Sequence, residues 1–243
     1  MAFNPLVNAK IWLDKFDLTG DMNAIAIDQS VEQQDNTAFG IGTKITRPGL
    51  LALKASLAGF VNLGTGNSEE FLSSKLGVAD VPLTIGPTTG AEGEPAYSFN
   101  ADLATFSPIQ GKVGDILKFT AEAQATSAKL VRGTILHNAA RTGSGTGTIF
   151  NLGAVGATQA LYAALHVPAI SGGPTVTIKV QSAPLVGFGS PTDRITFTAV
   201  TTTASQWAVP IPGAITDAFW RISWTFAGGA SPSCTFIVNV GIL

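Results

Sequence analysis

Few residues in this chain have the types and spacing that chemistry needs. The candidates are two histidines, His137 and His166, one cysteine, Cys234, and a spaced run of aspartates, Asp14, Asp17 and Asp21. A zinc site takes three or four ligands from His, Cys and acids. Two histidines, each inside an apolar strand pattern and on opposite sides of a glycine-rich stretch, do not supply that set. The aspartates of "LDKFDLTGD" are three and four residues apart, whereas an EF-hand loop takes its ligands at alternate positions. They read as a solvated hairpin turn around Leu18-Thr19-Gly20. Cys234 has no partner for an internal disulfide, which fits a reducing compartment, and reads as a small buried residue.

Other patterns resolve in the same way. No serine sits in a G-x-S-x-G elbow. "QGKVGD" (110–115) holds Gly-Lys without the earlier glycine or the following Ser/Thr of a phosphate loop, and reads as a turn into the strand that follows. "GSGTGT" lacks the strand–turn–helix setting of a dinucleotide site. Glu69 and Glu70 start a helix; Glu92 and Glu94 lie in a loop. Trp220 and Trp224 share a strand face with Ile222 and Phe226, so they pack a core rather than offer a sugar platform. The residues therefore predict a non-enzyme with no cofactor and no catalytic or metal site.

The elements around these residues are mostly strands. "DILKFTAEAQ" alternates Leu117, Phe119, Ala121 and Ala123 with Lys118, Thr120, Glu122 and Gln124, one face packed and the other wet. "NAIAIDQSVE", "LLALKASLAGFV" and "KLVRGTILHN" follow the same period. One stretch, "NSEEFLSSKLG", reads as a short helix, with Ser68 as its cap, Glu69 and Glu70 at its positive end, Lys75 at the other, and Gly77 as its stop. Beyond residue 148, "TVTIKVQS", "RITFTAV", "AFWRISWTF" and "CTFIVNVGI" alternate between Gly-, Pro- and Ser-rich turns, the pattern of a sandwich or jelly roll.

Charge is low and uneven. Charged residues are 12% of 243, against about 25% in ordinary soluble domains, and mean hydropathy is +0.32. No apolar run nears the ~20 residues of a membrane helix, and "MAFNPLVNAK" has no signal-peptide pattern, so no membrane insertion is expected. The net charge of −2 offers no basic field for nucleic acid. A surface so poor in charge is expected to be covered by other copies. Residues 142–243 keep only Lys179, Arg194, Arg221, Asp193 and Asp217. The shift falls at "RTGSGTGT", which reads as a flexible linker. The predicted domains are 1–140, a linker at 141–148, and 149–243.

The first part of the chain, from residue 8 to about 137, resembles phage tail tube proteins. The resemblance rests on "KIWLDKFDLTGDMNAIAIDQSVEQQDNTAFG", on "TKITRPGLLALKASLAGFV" with its Arg-Pro-Gly-Leu start, and on "PAYSFNADLATFSPIQGKVGDILKFTAEAQA" after the short helix. It implies a mainly β fold: a tail-tube-type sandwich or barrel with one short flanking helix. The second part resembles the jelly-roll or Ig-like modules of virion surfaces, without a family match.

The resemblance further implies hexameric rings stacked head to tail as a hollow conduit for DNA, within a virion tail built in the host cytoplasm. Its implied partners are other copies, tape measure, terminator and baseplate or tip proteins, with DNA passing transiently. The implied inter-ring loop holds Asp35, Thr37, Phe39, Gly40, Lys44, Arg47, Pro48 and Gly49, with Arg47-Pro48-Gly49 turning the chain into the next strand. Thr120, Glu122 and Gln124 form the expected lumen face, where carboxylates would keep DNA from sticking. The alternatives are a surface decoration or carbohydrate- or receptor-binding module, or another tail component such as a terminator.

Overall fold

The computed structural model of the protein describes residues 6–39, 42–127 and 129–243. The first strands are β1 (Lys10–Leu13), β2 (Phe16–Asp17), β3 (Met22–Asp35) and β4 (Thr46–Phe60), followed by helix α1 (Ser68–Lys75). Then come β5 (Val81–Gly86), β6 (Pro95–Gln110), β7 (Lys118–Ala125), β8 (Val131–Arg141), β9 (Gly145–Thr146) and β10 (Phe150–Asn151). The chain closes with β11 (Ala160–Ser171), β12 (Thr175–Ala183), β13 (Thr192–Thr196), β14 (Ala204–Trp207), β15 (Ile211–Pro212), β16 (Phe219–Ala227) and β17 (Ser233–Ile242). The chain is thus mainly β with one short helix, as its patterns predict.

The chain forms two units. One holds the described residues up to Gly20 together with Val81–Asn100 and Val131–Leu243; the other holds Asp21–Asp80 and Ala101–Leu130. The division does not fall at 141–148. Strand β17 returns to pair with β8 from Cys234↔Arg141 to Gly241↔Gly133, so the C-terminal strands share a sheet with residues before the expected linker. Within that linker, Gly145 and Thr146 pair with Trp224 and Ser223 as β9.

The first unit is a sandwich. One sheet runs β14-β11-β17-β8-β6-β5-β1-β2, and the other runs β10-β16-β12-β13 with β9 beside β16. Their shared core is Leu161, Ala163, Leu165 and Val167 of β11 and Phe236, Val238 and Val240 of β17, set against Val176, Ile178 and Val180 of β12 and Trp220, Ile222 and Trp224 of β16. The opposite faces of β11 and β17 are buried as well, because the long sheet curls. Trp12, Ala96, Ile135 and Ile237 form a second cluster there. Being covered on both sides, β11 is buried without a break from Leu161 to Val167.

The predicted turn forms at Thr19, Gly20 and Asp21, between β2 and β3, but the hairpin of this region lies earlier in the chain. β1 and β2 are joined at Asp14 and Lys15, and Leu18 is fully buried. Asp14 takes a positive φ of 53° there, a conformation that short polar side chains tolerate.

The second unit is an antiparallel sheet in the order β3-β4-β7-β6, the last through residues from Ala101 onward. Leu53, Ala55 and Leu57 of β4, Phe119, Ala121 and Ala123 of β7, and Ala101 and Leu103 of β6 bury one face. Phe71 and Leu72 of α1 are buried with them. Gly59 is required by this packing: a β-carbon there would collide with the Asp21 carbonyl and the Phe119 ring. The N-cap lies one residue earlier than expected. Asn67 is the N-cap, and Ser68 is buried in the first turn with no partner for its hydroxyl. Gly77 follows the helix at φ 75°, as its stop signal predicts.

Candidate assembly surface

β3 and β4 are longer than the sheet they belong to. β4 pairs with β7 only from Lys54 to Phe60, yet it pairs with β3 back to Asp35↔Thr46. The eight residues Thr46–Leu53 and their β3 partners therefore leave the sheet as a two-stranded arm, roughly 25 Å long at a strand rise of about 3.3 Å. Such a ribbon is marginally stable alone in water. Its tip is held locally. The Asp35 carboxylate accepts from the Thr37 amide at 2.9 Å and the Thr37 hydroxyl at 2.6 Å. The Ile45 amide donates to Thr37 Oγ1 at 2.8 Å. The Thr37 hydroxyl and amide, with Lys44 3.8 Å away, hold the Asp35 carboxyl below its ordinary pKa.

Phe39 stands at this tip with no shelter, at 109% relative exposure. Gly40 lies outside the described residues. Arg47, Pro48 and Gly49 do not turn the chain, contrary to expectation. They lie within β4, with Arg47 opposite Gln34 and Pro48 opposite Gln33, beside a register shift between Val31 and Gln33. The physical reason is the arm itself. A ribbon strand has one unpaired edge, and a bulge beside it tolerates proline, which has no N–H to donate.

The predicted lumen residues share one face. Thr120, Glu122 and Gln124 lie opposite Ala58, Ser56 and Lys54 on β4, which lie opposite Ala24, Ala26 and Asp28 on β3. On the other side they meet Ser107, Thr105 and Asp102 of β6. Small side chains leave a shallow depression of about 340 Å³ between Ala24, Ala26, Ser56, Ala58, Thr105 and Thr120.

Glu122 is not a bare carboxylate: Lys54 Nζ donates to its Oε2 at 2.9 Å. That hydrogen bond, with the charge of Glu122 and more weakly of Asp28, raises the Lys54 pKa. Three acids (Asp28, Asp102, Glu122) and two lysines (Lys54, Lys118) give this face a formal charge of −1.

Among the described residues, both edges of this sheet carry free backbone. β3 pairs only with β4. β6 pairs with β7 on one side; on the other, within this unit, it meets the chain only where Gly77 donates to the Leu103 carbonyl beside a Leu76–Leu103 bridge. The unit is also rich in exposed apolar side chains. Of eighteen large hydrophobic residues exposed among the described residues, twelve lie in 21–80 and 101–130.

The first unit holds polar groups that sequence reasoning did not connect. The two histidines sit in separate networks, as expected, and both are fully buried. His166 Nδ1 lies 2.6 Å from the Asp14 carbonyl and its Nε2 2.7 Å from Thr84 Oγ1. Thr84 Oγ1 is 2.8 Å from Ser98 Oγ, to which Asn239 Nδ2 donates at 2.7 Å. One end fixes every role. A carbonyl only accepts, so Nδ1 carries the proton, Nε2 accepts from Thr84, and Thr84 accepts from Ser98. Burial lowers the His166 pKa to about 4, so the ring is neutral.

His137 is held differently. Its Nδ1 is 2.8 Å from Glu92 Oε1, while Arg141 Nε donates to its Nε2 at 3.3 Å. Its ring packs on Trp224 and Phe236. Burial, opposed by Glu92, brings its pKa to about 4.

The five charges beyond residue 141 all gather around β12 and β13. Lys179 bonds Asp193 at 2.6 Å, and Arg194 bonds Asp217 at 2.9 Å. Arg221 donates to Gln181, which donates to Asp193, and its guanidinium lies over Phe188. The Ser182 hydroxyl, then Arg194, hold the Asp217 carboxyl below its usual range. Sequence spacing hid this cluster, because a bulge between Val180 and Gln181 sets its geometry. Among the described residues no group of three or more His, Cys, Asp or Glu could hold a metal, and no helix is long and apolar enough to cross a membrane.

No protein-family model matches the chain, and no curated protein matches it. Solved structures with similar folds include the Dit (gp 19.1) protein of SPP1, described as a paradigm of the hub adsorption apparatus in Gram-positive-infecting phages. It is 14% identical over 97% of this chain and 99% of its own, with a TM-score of 0.40. The sheath/tube terminator of an extracellular contractile injection system, PVC, is 16% identical over 54% of this chain and 97% of its own, at a TM-score of 0.43. The SPP1 tail tube protein is 11% identical over 54% and 80%, at 0.42.

Proposed function

We propose that the chain is a structural, non-enzymatic subunit of a phage tail that assembles with its own copies into closed rings of six, stacked as a hollow tube for DNA. The observation that carries this reading is the arm: a two-stranded ribbon that overhangs its sheet and ends in a bare phenylalanine. Water offers no reason to keep Phe39 there. Burying a side chain of its kind is worth about 1.5–3 kcal/mol, and a neighbouring copy supplies that burial.

The open edges of β3 and β6 support the ring. Exposed edges are a liability in a monomer and become joints when copies close a ring around them. The resemblance of residues 8–137 to tail tube proteins supports the same reading.

In the tube, the face of Thr120, Glu122 and Gln124 lines the channel. Its fitness for DNA lies less in strong repulsion than in a weak hold on phosphate, because Lys54 is tied to Glu122, which leaves Lys118 at the end of the face, and the net charge is slightly negative. Tape measure, terminator and baseplate or tip proteins complete the tail, which is assembled in the host cytoplasm. Negative-stain electron microscopy across a concentration series tests the proposal. Six-fold rings or hollow tubes are expected; dispersed monomers at every concentration would overturn it.

A further inference from the structure

The loop between β12 and β13, "PLVGFGSP" (184–191), belongs to the first unit, away from the arm. In it Leu185 and Val186 are 72% and 62% exposed. The Phe188 amide donates to the Leu185 carbonyl at 3.1 Å and closes the turn. Phe188 itself takes a positive φ of 50° and is buried, with the Arg221 guanidinium over its ring at 4.3 Å. A phenylalanine in that conformation is strained, and it persists only where its surroundings fix it. Arg221 is fixed in turn. Its Nε donates to Gln181 Oε1 at 3.0 Å, Gln181 Nε2 donates to Asp193 Oδ1 at 2.7 Å, and Lys179 holds the other oxygen of Asp193. The guanidinium therefore has a set plane and position. Yet no carboxylate among the described residues pairs with it, whereas Lys179 has Asp193 and Arg194 has Asp217. Its two terminal nitrogens make no hydrogen bond among the described residues, and neither is sealed from water.

From this arrangement we infer that Arg221 anchors a docking site for a partner protein and takes from it a carboxylate flanked by an aliphatic side chain. The site is separate from ring formation and does not depend on it. A guanidinium offers parallel N–H donors that match the two oxygens of a carboxylate. Phe188 and Gln181 hold it in place before any contact, so little side-chain freedom is lost on binding. Leu185 and Val186, in the same turn as Phe188, set an aliphatic surface beside the charge. An arginine stacked on an aromatic ring next to exposed apolar side chains has the composition of an interface centre. Charge selects the class of partner. A polyphosphate chain calls for several unpaired cations. Here Lys179 and Arg194 are engaged by Asp193 and Asp217, and the five charges beyond residue 141 sum to +1. One unpaired cation suits one carboxylate.

The probe is the peptide acetyl-Leu-Asp-Leu-amide, with acetyl-Leu-Asn-Leu-amide as its uncharged control. Each is titrated into the full chain, labelled for NMR at the arginine Nε–Hε and the leucine and valine methyl groups, at a protein concentration where sedimentation shows monomer. The expected result is saturable shifts of Arg221, Leu185 and Val186 with the acidic peptide, and an affinity roughly tenfold lower for the control. Arg221→Gln should bring the acidic peptide down to the level of the control. Arg221→Lys keeps the charge and the cover over Phe188 without the planar fork, and should fall between the two. Leu185→Ser, at an exposed position, should weaken both peptides. Equal affinities for the two peptides would overturn the carboxylate, and the absence of shifts at these residues would overturn the site. Self-association of the native chain that Arg221→Gln abolishes would give the surface to a second copy and overturn the partner protein.

Discussion

His166 donates from Nδ1 to the carbonyl oxygen of Asp14 at 2.6 Å, joining residues 152 positions apart through a fully buried ring. With Thr84, Ser98 and Asn239, the pair carries one directed chain of hydrogen bonds through the curl of the long sheet.

That chain makes stability depend on pH. Burial lowers the pKa of His166 from 6.5 to about 4, and of His137 likewise. Between those values the unfolded chain binds the protons and the folded chain does not. The stabilisation is whole above pH 6.5 and is lost as pH falls toward 4, at up to about 1.4 kcal/mol per pH unit for each histidine. Urea denaturation should show the midpoint falling steeply from pH 6.5 to 4.5. His166→Phe, less stable at pH 7 because Thr84 and the Asp14 carbonyl lose their partner, should show a shallower fall. A flat midpoint for the native protein over that range would rule out the buried neutral rings.

The sandwich core makes its own prediction. Trp220 is fully buried, and its Nε1 donates to the Gly153 carbonyl at 2.9 Å. Trp220→Ala should cost about 3–5 kcal/mol. Trp207→Ala, at a half-buried position against Tyr162, should cost clearly less. Equal losses in thermal or urea denaturation would contradict the placement of the core.

Much of this was legible in the sequence. Alternation marked Phe119, Ala121 and Ala123 as one packed face, and the Trp220–Phe226 pattern as a core strand. What stayed hidden depended on partners distant in the chain. No local signal says that β17 returns to β8, so a boundary at 141–148 looked natural. Arg47-Pro48-Gly49 resembles a corner because proline and glycine usually mark one. Only the register of β3 against β4 makes it part of an arm. Glu122 looked like a free carboxylate until strand pairing set Lys54 beside it.

The Lys54–Glu122 pair is half-exposed, and solvent screening leaves such a pair little weight in stability. Glu122→Lys should therefore leave the melting temperature nearly unchanged while shifting the formal charge of its face from −1 to +1. Assemblies of the variant should retain DNA in a salt-dependent way, and native assemblies should not. Native assemblies that retain DNA equally well in a filter assay would contradict the channel assignment.

Cys234 is buried, and burial raises its thiol pKa to about 11. A thiol reagent at pH 8 should leave it intact in the folded protein and modify it fully in urea. Rapid modification without denaturant would show that this part of the sandwich opens.

The central claim is that the arm exists to be covered by another copy. Phe39→Ala removes a ring that is wholly exposed in the subunit. Sedimentation velocity of native and variant protein, compared at matched concentrations, tests it most directly. The account predicts an unchanged melting temperature and a loss of the large assemblies formed by the native chain. Assemblies of undiminished size and amount in Phe39→Ala would contradict it.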